Sequence, residues 1–562
     1  MSLSVVRRAT AKVTRFVCSL PLLVALSSLI TLPQLSSVEA RDLYEVVPAE
    51  TSYALRIQGS KQANSMITSG VDLSFIKDIL KSAPPPREKM EIFARAAALD
   101  FIELQQNQQL GTIGVDLNTT QVAVYGFGPW PVASIQLADV TLFKVWVFKH
   151  LSKVGVELKS WEQKENIYDL ECDPRGEMTC LLTFADGRVS ASFTLKKFAP
   201  QIVDHLSGAQ PVKKSLKASR FVEALAKNAE AGTYTSGFLS FQRAVKTLLG
   251  QGKGLNKSLL PARLDLSGKL SKVCVDEYLS IVGMMPDIYL GQEDYQPNQP
   301  NKGAMLWRFN GPLAKASGTL SAKKLYRVED GRSLLALSLA MDVPAVLQAV
   351  QTLMQSLVKT PYQCPHLSQG PLAPERIQQG LMMTQLVPPF VRNIRGVSVS
   401  LLGVTLNPQQ PPQVDALAII TSDQAPMLLQ FLKGAGPRFK DLVVPQVGAP
   451  AGPVVGFPVP PQFKDIKWKV TQDTIGIALG NRAVKTLEES VLAPRMGDAP
   501  LLSVQYRMND LYALFRQGMN MFAPQADPKI IALMKSSIEL LDISLGFSSK
   551  GLYMKSIGHF TK

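Results

Sequence analysis

The sequence predicts an α+β protein made of two tandem, pseudo-symmetric lobes, each a mostly antiparallel or mixed sheet with packed helices. Three observations lead to this prediction: a globular composition, strand patterns that alternate with amphipathic helical patterns, and segments that recur in the same order. The chain has 562 residues, of which 46% are hydrophobic and 19% charged. This composition excludes a largely disordered, collagen-like or coiled-coil protein. A chain of this length holds about two to four domains.

Internal repetition is the most informative feature. Four pairs of similar segments occur in the same order in the two halves: 43–57 with 325–339, 132–139 with 416–423, 238–242 with 501–505, and 264–267 with 541–544. One pair could arise by chance, but four in register indicate a tandem duplication. The predicted lobes are therefore 41–323 and 324–562. The first is longer because it adds a cysteine hairpin and a polar Pro/Asn loop near 292–302.

Strands and helices can be placed within these lobes from periodicity. Apolar residues alternate at 397–401, which predicts a strand, and recur at helical spacing at 87–106 and 343–358, which predicts two amphipathic helices. Asp139, Asp342 and Asp423 each lie between a strand and a helix. Such a carboxylate accepts hydrogen bonds from the free N–H groups of the first helical turn, so capping is favoured over a catalytic role.

The N-terminus has the three parts of a secretory signal peptide. Four basic residues precede an apolar stretch at 16–32, and small residues precede a cleavage site between Ala40 and Arg41. We therefore predict a signal peptide at 1–40 and an exported protein, periplasmic or extracellular and bacterial. The alternative is an uncleaved anchor, because the apolar stretch approaches the length of a spanning helix. No later segment is apolar for long enough to cross a membrane.

The chain is strongly basic. Its formal net charge is +15, and loss of residues 1–40, which hold four basic residues and one acidic residue, lowers it to +12. A cationic exported protein is attracted to lipid headgroups and other anionic envelope polymers, with at most a peripheral membrane association. The basic groups are short, however, and the densest includes Lys213, Lys214, Lys217 and Arg220. Solvated faces explain such groups more simply, and no motif accompanies them that would indicate nucleic acid as a partner.

Four cysteines follow the signal peptide: Cys172, Cys180, Cys274 and Cys364. An even number in an oxidising compartment predicts two disulfides with three possible pairings. Cys172 and Cys180 flank a turn-forming segment between two strand patterns, so their pairing as a hairpin staple is favoured. The remaining pair would then be Cys274 with Cys364. Their spacing does not favour redox or metal chemistry.

The segment 443–461 is apolar but rich in Pro and Gly, which prevent regular structure. Two interpretations stay open. It is either a mobile apolar flap, with Val454, Val455, Phe457 and Val459 as candidate binding residues, or a long loop packed along its own lobe.

The sequence contains no recognisable catalytic motif. A Gly-x-Ser-x-Gly elbow, a phosphate-binding loop and a His-Glu-x-x-His helix are all missing. The four histidines are dispersed along the chain. We therefore predict no catalytic residue, no metal site and no cofactor.

Residues 46–51, Val-Val-Pro-Ala-Glu-Thr, follow the signal peptide and lead into a strand. This opening resembles that of exported bacterial proteins of a domain family of unknown function, in which a Pro-Ala-acidic-Ser/Thr segment begins a duplicated α+β unit. The second copy departs from it, with Glu329-Asp330-Gly331-Arg332 in place of the proline segment. The resemblance implies an envelope location and tandem lobes, and it assigns no catalytic residue.

Together these features predict a non-enzymatic envelope protein that binds an apolar or anionic envelope component, or a partner protein. Two alternatives remain: a scaffold protein with no small ligand, and a hydrolase of wall or glycan whose paired carboxylates sequence cannot reveal.

Overall fold

The computed structural model describes residues 42–59, 77, 80–81, 84–85, 89–170, 173, 176–210, 212–293, 299–320, 322–325, 333–340, 342–370, 372–407, 409–434, 436–456, 465–489, 495–522 and 538–560. The predicted signal peptide, with Ala40 and Arg41, lies outside them. The described chain contains both helices and extensive antiparallel sheet, which confirms the α+β class.

The chain divides into two compact units. The described part of the first unit falls within 42–269 and 288–293, and that of the second within 270–287 and 299–560. The lobe boundary predicted between residues 323 and 324 lies within the second unit by this division.

The first unit combines an antiparallel sheet with six helices in its described residues. Its strands are β1 (Tyr53–Gln58), β2 (Gln121–Phe127), β3 (Trp130–Gln136), β4 (Lys159–Ser160), β5 (Ile167–Asp169), β6 (Met178–Ala185), β7 (Arg188–Leu195), β8 (Thr235–Ser240) and β9 (Asp287–Gln292), at whose start the chain re-enters this unit. Its helices are α1 (Lys89–Gln106), α2 (Val140–Lys153), α3 (Ala199–Leu206), α4 (Phe221–Ala229), α5 (Phe241–Leu248) and α6 (Leu255–Ser258). Strands pair antiparallel in the order β8-β1-β2-β3-β7-β6-β5-β4.

A large core cluster among the described residues of the first unit lies between helices α1 and α2 and strands β6 and β7. Phe101 of α1 meets the edge of Trp146 of α2, with ring centroids 6.4 Å apart. Phe184 of β6 belongs to the same cluster. This burial of aromatic surface is the main favourable term in attaching the helices to the sheet.

The second unit has a longer sheet and more helices. Its helices are α7 (Lys272–Met284), α8 (Gly311–Gly318), α9 (Val343–Lys359), α10 (Pro365–Ser368), α11 (Pro374–Gln385), α12 (Pro389–Arg392), α13 (Ala425–Gly434), α14 (Asn481–Glu489) and α15 (Met508–Phe522). Its strands are β10 (Asn301–Arg308), β11 (Ala322–Leu325), β12 (Leu335–Ala340), β13 (Ile394–Asn407), β14 (Gln410–Ser422), β15 (Gly452–Pro453), β16 (Lys467–Val470), β17 (Thr474–Leu479), β18 (Arg495–Ala499), β19 (Leu502–Arg507), β20 (Ile538–Ser548) and β21 (Gly551–Phe560).

Ten of these strands pair antiparallel in the order β10-β21-β20-β19-β12-β13-β14-β17-β16-β15. Strands β11 and β18 form a separate pair. β12 and β13 therefore lie inside the sheet with a neighbour on each side. Because both edges of each strand are hydrogen-bonded, neither can accept an added strand.

Two of the three predicted helix caps are confirmed. The Asp139 carboxylate accepts from the N–H groups of Thr141 and Leu142, and Asp342 accepts from Ala345 N at 3.0 Å. Asp423 instead accepts from the guanidinium of Arg395, because α13 begins only at Ala425. The guanidinium of Arg395 also lies 3.1 Å from the Asp342 carboxylate. One arginine therefore links the residues that precede α9 and α13.

The predicted pair Cys274–Cys364 is disulfide-bonded, and it joins α7 to the segment before α10. Glu277 reinforces this junction, since its carboxylate accepts from Gln363 N at 2.7 Å and from Cys364 N at 2.9 Å. Cys180 is also disulfide-bonded. Cys172 lies outside the described residues, so the hairpin staple stays a prediction.

Replacing both Cys274 and Cys364 by Ala should lower the free energy of unfolding of the second unit by about 4 kcal/mol. The disulfide closes a loop with a sequence separation of 90, and its loss restores that loop's entropy to the unfolded chain. Urea unfolding followed by circular dichroism measures the change. A midpoint equal to that of the unaltered protein would contradict this structural role.

Candidate functional site

A polar cleft of about 250 Å³ opens in the first unit. Arg56, which is 6% exposed, forms one side of it; its guanidinium pairs with Asp42, donates to Thr233 O at 2.9 Å and lies over the Tyr44 ring. Lys217, from the densest basic group in the sequence, is 2.9 Å from Glu45. The cleft's buried cation and its main lysine are thus already paired with carboxylates.

Burial raises the pKa of Tyr44 to about 12, against the opposing effect of its hydrogen bond with Ser236. The phenol stays protonated and donates to Ser236 O at 2.6 Å. These contacts tie the turn at 43–45 to β1 and β8. Because Arg56 and Lys217 are both paired with carboxylates, neither is free to bind an anionic ligand.

The two buried histidines of the first unit also have structural partners. His150 Nε2 lies 3.0 Å from Asp100 Oδ2, which also accepts from Trp146 Nε1 at 2.6 Å. Burial opposes ionisation of Asp100, but these two hydrogen bonds outweigh it and lower the pKa of the carboxyl. Within the described part of the chain, neither His150 nor His205 is hydrogen-bonded to a serine, threonine or cysteine side chain.

His205 of α3 stacks on Phe127, with ring centroids 4.1 Å apart, and its Nε2 lies 3.2 Å from the Tyr125 hydroxyl. Burial lowers the pKa of His205 to about 3, and the nearby Arg188 charge lowers it further. The imidazole is therefore neutral at physiological pH and packs as an aromatic ring.

The second unit presents a surface of a different kind, which we call the aliphatic face. It consists of three rows of side chains that cross five strands, and the pairing registers place each row on one side of the sheet. The rows are Leu541, Tyr506, Leu335, Leu401 and Ala416; Ile543, Val504, Leu337, Val399 and Ala418; and Leu545, Leu502, Leu339, Val397 and Ile420. Fourteen of these fifteen side chains carry no hydrogen-bonding group, the exception being Tyr506.

The centre of the aliphatic face is bare. Leu335, Leu337, Leu339, Val397 and Val399 are each between 37% and 46% exposed. The residues between them in sequence are the buried ones, and they are small. Ala336, Ser338, Ala340, Ser398 and Ser400 are all at most 3% exposed.

Buried serines are tolerated on the opposite face because they pair with each other. Ser338 Oγ lies 2.8 Å from Ser398 Oγ, and Ser503 is the register partner of Ser338 on the other side. Small side chains fill little space, and the hydroxyl pair satisfies its own hydrogen bonding. The apolar side of these strands is therefore the side left open.

At one end the aliphatic face continues beneath a cover. Leu428 and Leu429 of α13 are buried together with Trp468 and Ile475, and Ile420 of the face packs against this cluster. Val454, a predicted binding residue, packs on it too. The loop at 443–456, which contains Val454, is held by hydrogen bonds from Val443 N to Val455 O and from Gly448 N to Val470 O.

Gly456 closes this loop in a way that only glycine permits. Its φ is +77°, and a Cβ at this position would lie 1.8 Å from the Asp441 carbonyl oxygen. The described part of the predicted flap is thus a loop packed on its own unit. Val455 is 50% exposed on its surface, whereas Phe457 and Val459 lie outside the described residues.

The structure brings Cys274 and Cys364 together, and the other predicted residues that it describes, Cys180, Val454 and Val455, do not join them in one site. Among the described residues no group of three metal-binding side chains occurs, and no helix is both long and apolar enough to span a bilayer. No protein-family model, curated protein or solved structure matches the chain. The aliphatic face is therefore identified by its geometry alone.

Sequence patterns signalled the aliphatic face only in part. The alternation of Leu with Ala or Ser at 335–340, and of Val with Ser at 397–400, is visible in the sequence and predicts strands. Which side of the strands faces solvent is set by the tertiary structure.

The neutral His205 should make unfolding sensitive to acid. An unfolded histidine takes up a proton near pH 6.5, whereas the folded one does so only near pH 3. Stability should therefore fall as the pH drops from 6.5, by up to about 1.4 kcal/mol per pH unit from this group. His205→Leu should reduce the dependence of the free energy of unfolding on pH, measured by urea unfolding between pH 7.5 and pH 4.5.

His366→Gln, which alters an exposed histidine, is the control variant. Its free energy of unfolding should depend on pH as that of the unaltered protein does. An undiminished slope in His205→Leu would show that other groups carry the acid sensitivity.

Proposed function

We propose that the chain is an exported, non-enzymatic binding protein that holds an apolar envelope component, the acyl chain of a lipid, on the aliphatic face of its second unit. The observation that carries this proposal is the bare centre of that face, where five leucine and valine side chains are exposed while their small neighbours are buried. Contiguous apolar surface of this kind is typical of interaction sites.

The dimensions of the aliphatic face favour a lipid over a protein. Five strands at about 4.8 Å spacing, and three same-face residues at about 6.8 Å, give an area of about 500 Å². A stable protein–protein interface buries about 800 Å² on each partner. An acyl chain suits the smaller area, because each methylene removed from water contributes about 0.8 kcal/mol.

The chemistry of the face supports the same ligand class. It offers no charge, and β12 and β13 have no free backbone edge for an added peptide strand. An anionic polymer would find paired charges in the polar cleft of the first unit. An acyl chain needs neither charge nor hydrogen bonds.

An envelope location fits the remaining features. The N-terminal pattern is that of an export signal, and the Cys274–Cys364 disulfide is of the kind that persists in oxidising compartments. We infer that the protein acts outside the cytoplasm, where lipids must be held away from water.

We also infer that the two units descend from one duplicated unit. The neighbour order β8-β1-β2-β3-β7-β6-β5 in the first unit has the same pattern as β19-β12-β13-β14-β17-β16-β15 in the second. Three of the four sequence pairs fall on matching strands. The fourth does not, because 264–267 lies outside any strand or helix while 541–544 lies in β20.

Polar substitution at the centre of the aliphatic face should abolish ligand binding. Leu337→Thr combined with Val399→Thr places two β-branched side chains, which suit strands, at these positions but removes apolar contact. We expect at least tenfold weaker binding of the neutral apolar dye N-phenyl-1-naphthylamine, measured by fluorescence. Lipid extracted from the purified variant and measured by mass spectrometry should fall in parallel.

Val145→Thr provides the matched control, since Val145 of α2 is 64% exposed and lies outside this face. It should bind the dye like the unaltered protein. The proposal fails if the unaltered protein binds no dye and carries no lipid, or if the double variant and the control lose binding equally.

A further inference from the structure

A second apolar surface lies on the helices of the second unit. Met382 and Met383, in the last turn of α11, and Leu386 just after it are 59%, 65% and 70% exposed. Among the other large hydrophobic side chains of the described residues, only Val145 is more exposed than Met382. Three such side chains within five residues form an exposed apolar cluster at the end of α11.

Helix α13 carries two further exposed apolar side chains. Met427 and Phe431 are four residues apart on that helix, so they share one side of it, and they are 54% and 46% exposed. Phe390 of α12 stacks on Phe431 with ring centroids 3.9 Å apart. Phe390 follows Leu386 by four residues, so a short stretch of chain and this stacking contact connect the two exposed groups. We call Met382, Met383, Leu386, Met427 and Phe431 the apolar ridge.

The two segments that carry the apolar ridge contain basic residues but no acidic ones. The segments 381–392 and 425–434, which carry it, contain no acidic residue and two basic ones, Arg392 and Lys433. Both are exposed. Arg392 donates to the carbonyl oxygens of Gln385 at 3.3 Å and Val387 at 3.2 Å, which holds its guanidinium beside Leu386.

An apolar surface bordered by cations matches the interface of an anionic bilayer. Apolar side chains enter the boundary between headgroups and acyl chains, while each nearby Lys or Arg is attracted to anionic lipid. The same charges disfavour a symmetric contact with a second copy, because such a contact would place Arg392 and Lys433 near their own counterparts.

We propose that the apolar ridge docks the protein peripherally on a membrane that contains anionic lipid. The inference rests on the proposed function and deepens it, because a protein that holds an acyl chain must reach a bilayer to exchange it. Helix α13 links the two surfaces, since Leu428 and Leu429 are buried in the cluster that covers the aliphatic face while Met427 and Phe431 face outward.

Vesicle flotation of the mature protein tests this docking. We expect the protein to float with phosphatidylglycerol vesicles and much less with phosphatidylcholine vesicles, and the binding to weaken as salt is raised. Met383→Ser combined with Leu386→Ser should lower the fraction bound at least tenfold. Arg392→Gln should weaken binding to phosphatidylglycerol about fivefold, because one cation near the surface is lost.

Val145→Ser is the matched control, as it removes an equally exposed apolar side chain from α2, and it should float like the unaltered protein. Circular dichroism establishes that each variant is folded. Equal flotation with both vesicle types, or no effect of the ridge variants, would overturn the proposal. So would self-association that Met383→Ser with Leu386→Ser removes, since the ridge would then contact a second copy.

The dye assay separates this proposal from the function on which it rests. The ridge variants should bind N-phenyl-1-naphthylamine normally, whereas Leu337→Thr with Val399→Thr should float normally. Normal flotation by a protein that binds no dye and carries no lipid would refute the acyl-chain site and leave the docking surface standing. Dye binding without flotation would refute the docking surface alone.

Discussion

The antiparallel register of β12 with its two neighbours is the constraint on which the second unit depends. Leu337 lies opposite Val399 on one side and Val504 on the other, and Ser338 lies opposite Ser398 and Ser503. A slip of one residue would exchange the two sides of the strand. The register therefore decides which residues share a side, with the serines together on one side and the leucines and valines together on the other.

The same register explains why the open side can remain chemically uniform. Strands β12 and β13 satisfy their backbone hydrogen bonds through flanking strands, and Ser338 and Ser398 satisfy each other. No polar group needs to reach the open face. The aliphatic face can thus be apolar over three rows, although on the opposite side the buried Ser400 Oγ is left without a hydrogen-bond partner among the described residues.

Local structure was predictable where sequence-adjacent contacts decide it. The helix predicted at 343–358 is observed at Val343–Lys359, with Asp342 at its start, because both the apolar spacing and the cap are encoded in neighbouring residues. Asp423 departs from its predicted role because α13 begins only at Ala425, and its carboxylate pairs instead with Arg395, which is distant in sequence. The orientation of β12 could not be predicted for the same reason. Alternation of Leu with Ser specifies two sides of a strand, but distant elements decide which side is covered.

An exposed aliphatic face carries a risk of aggregation that the rest of the chain must offset. Apolar surface attracts other copies at short range, whereas like net charge repels them at longer range. A formal net charge of +12 on the chain without residues 1–40 supplies that repulsion. On the docking proposed above, the same positive charge attracts the protein to anionic lipid, so it opposes contact between copies while it favours contact with a membrane.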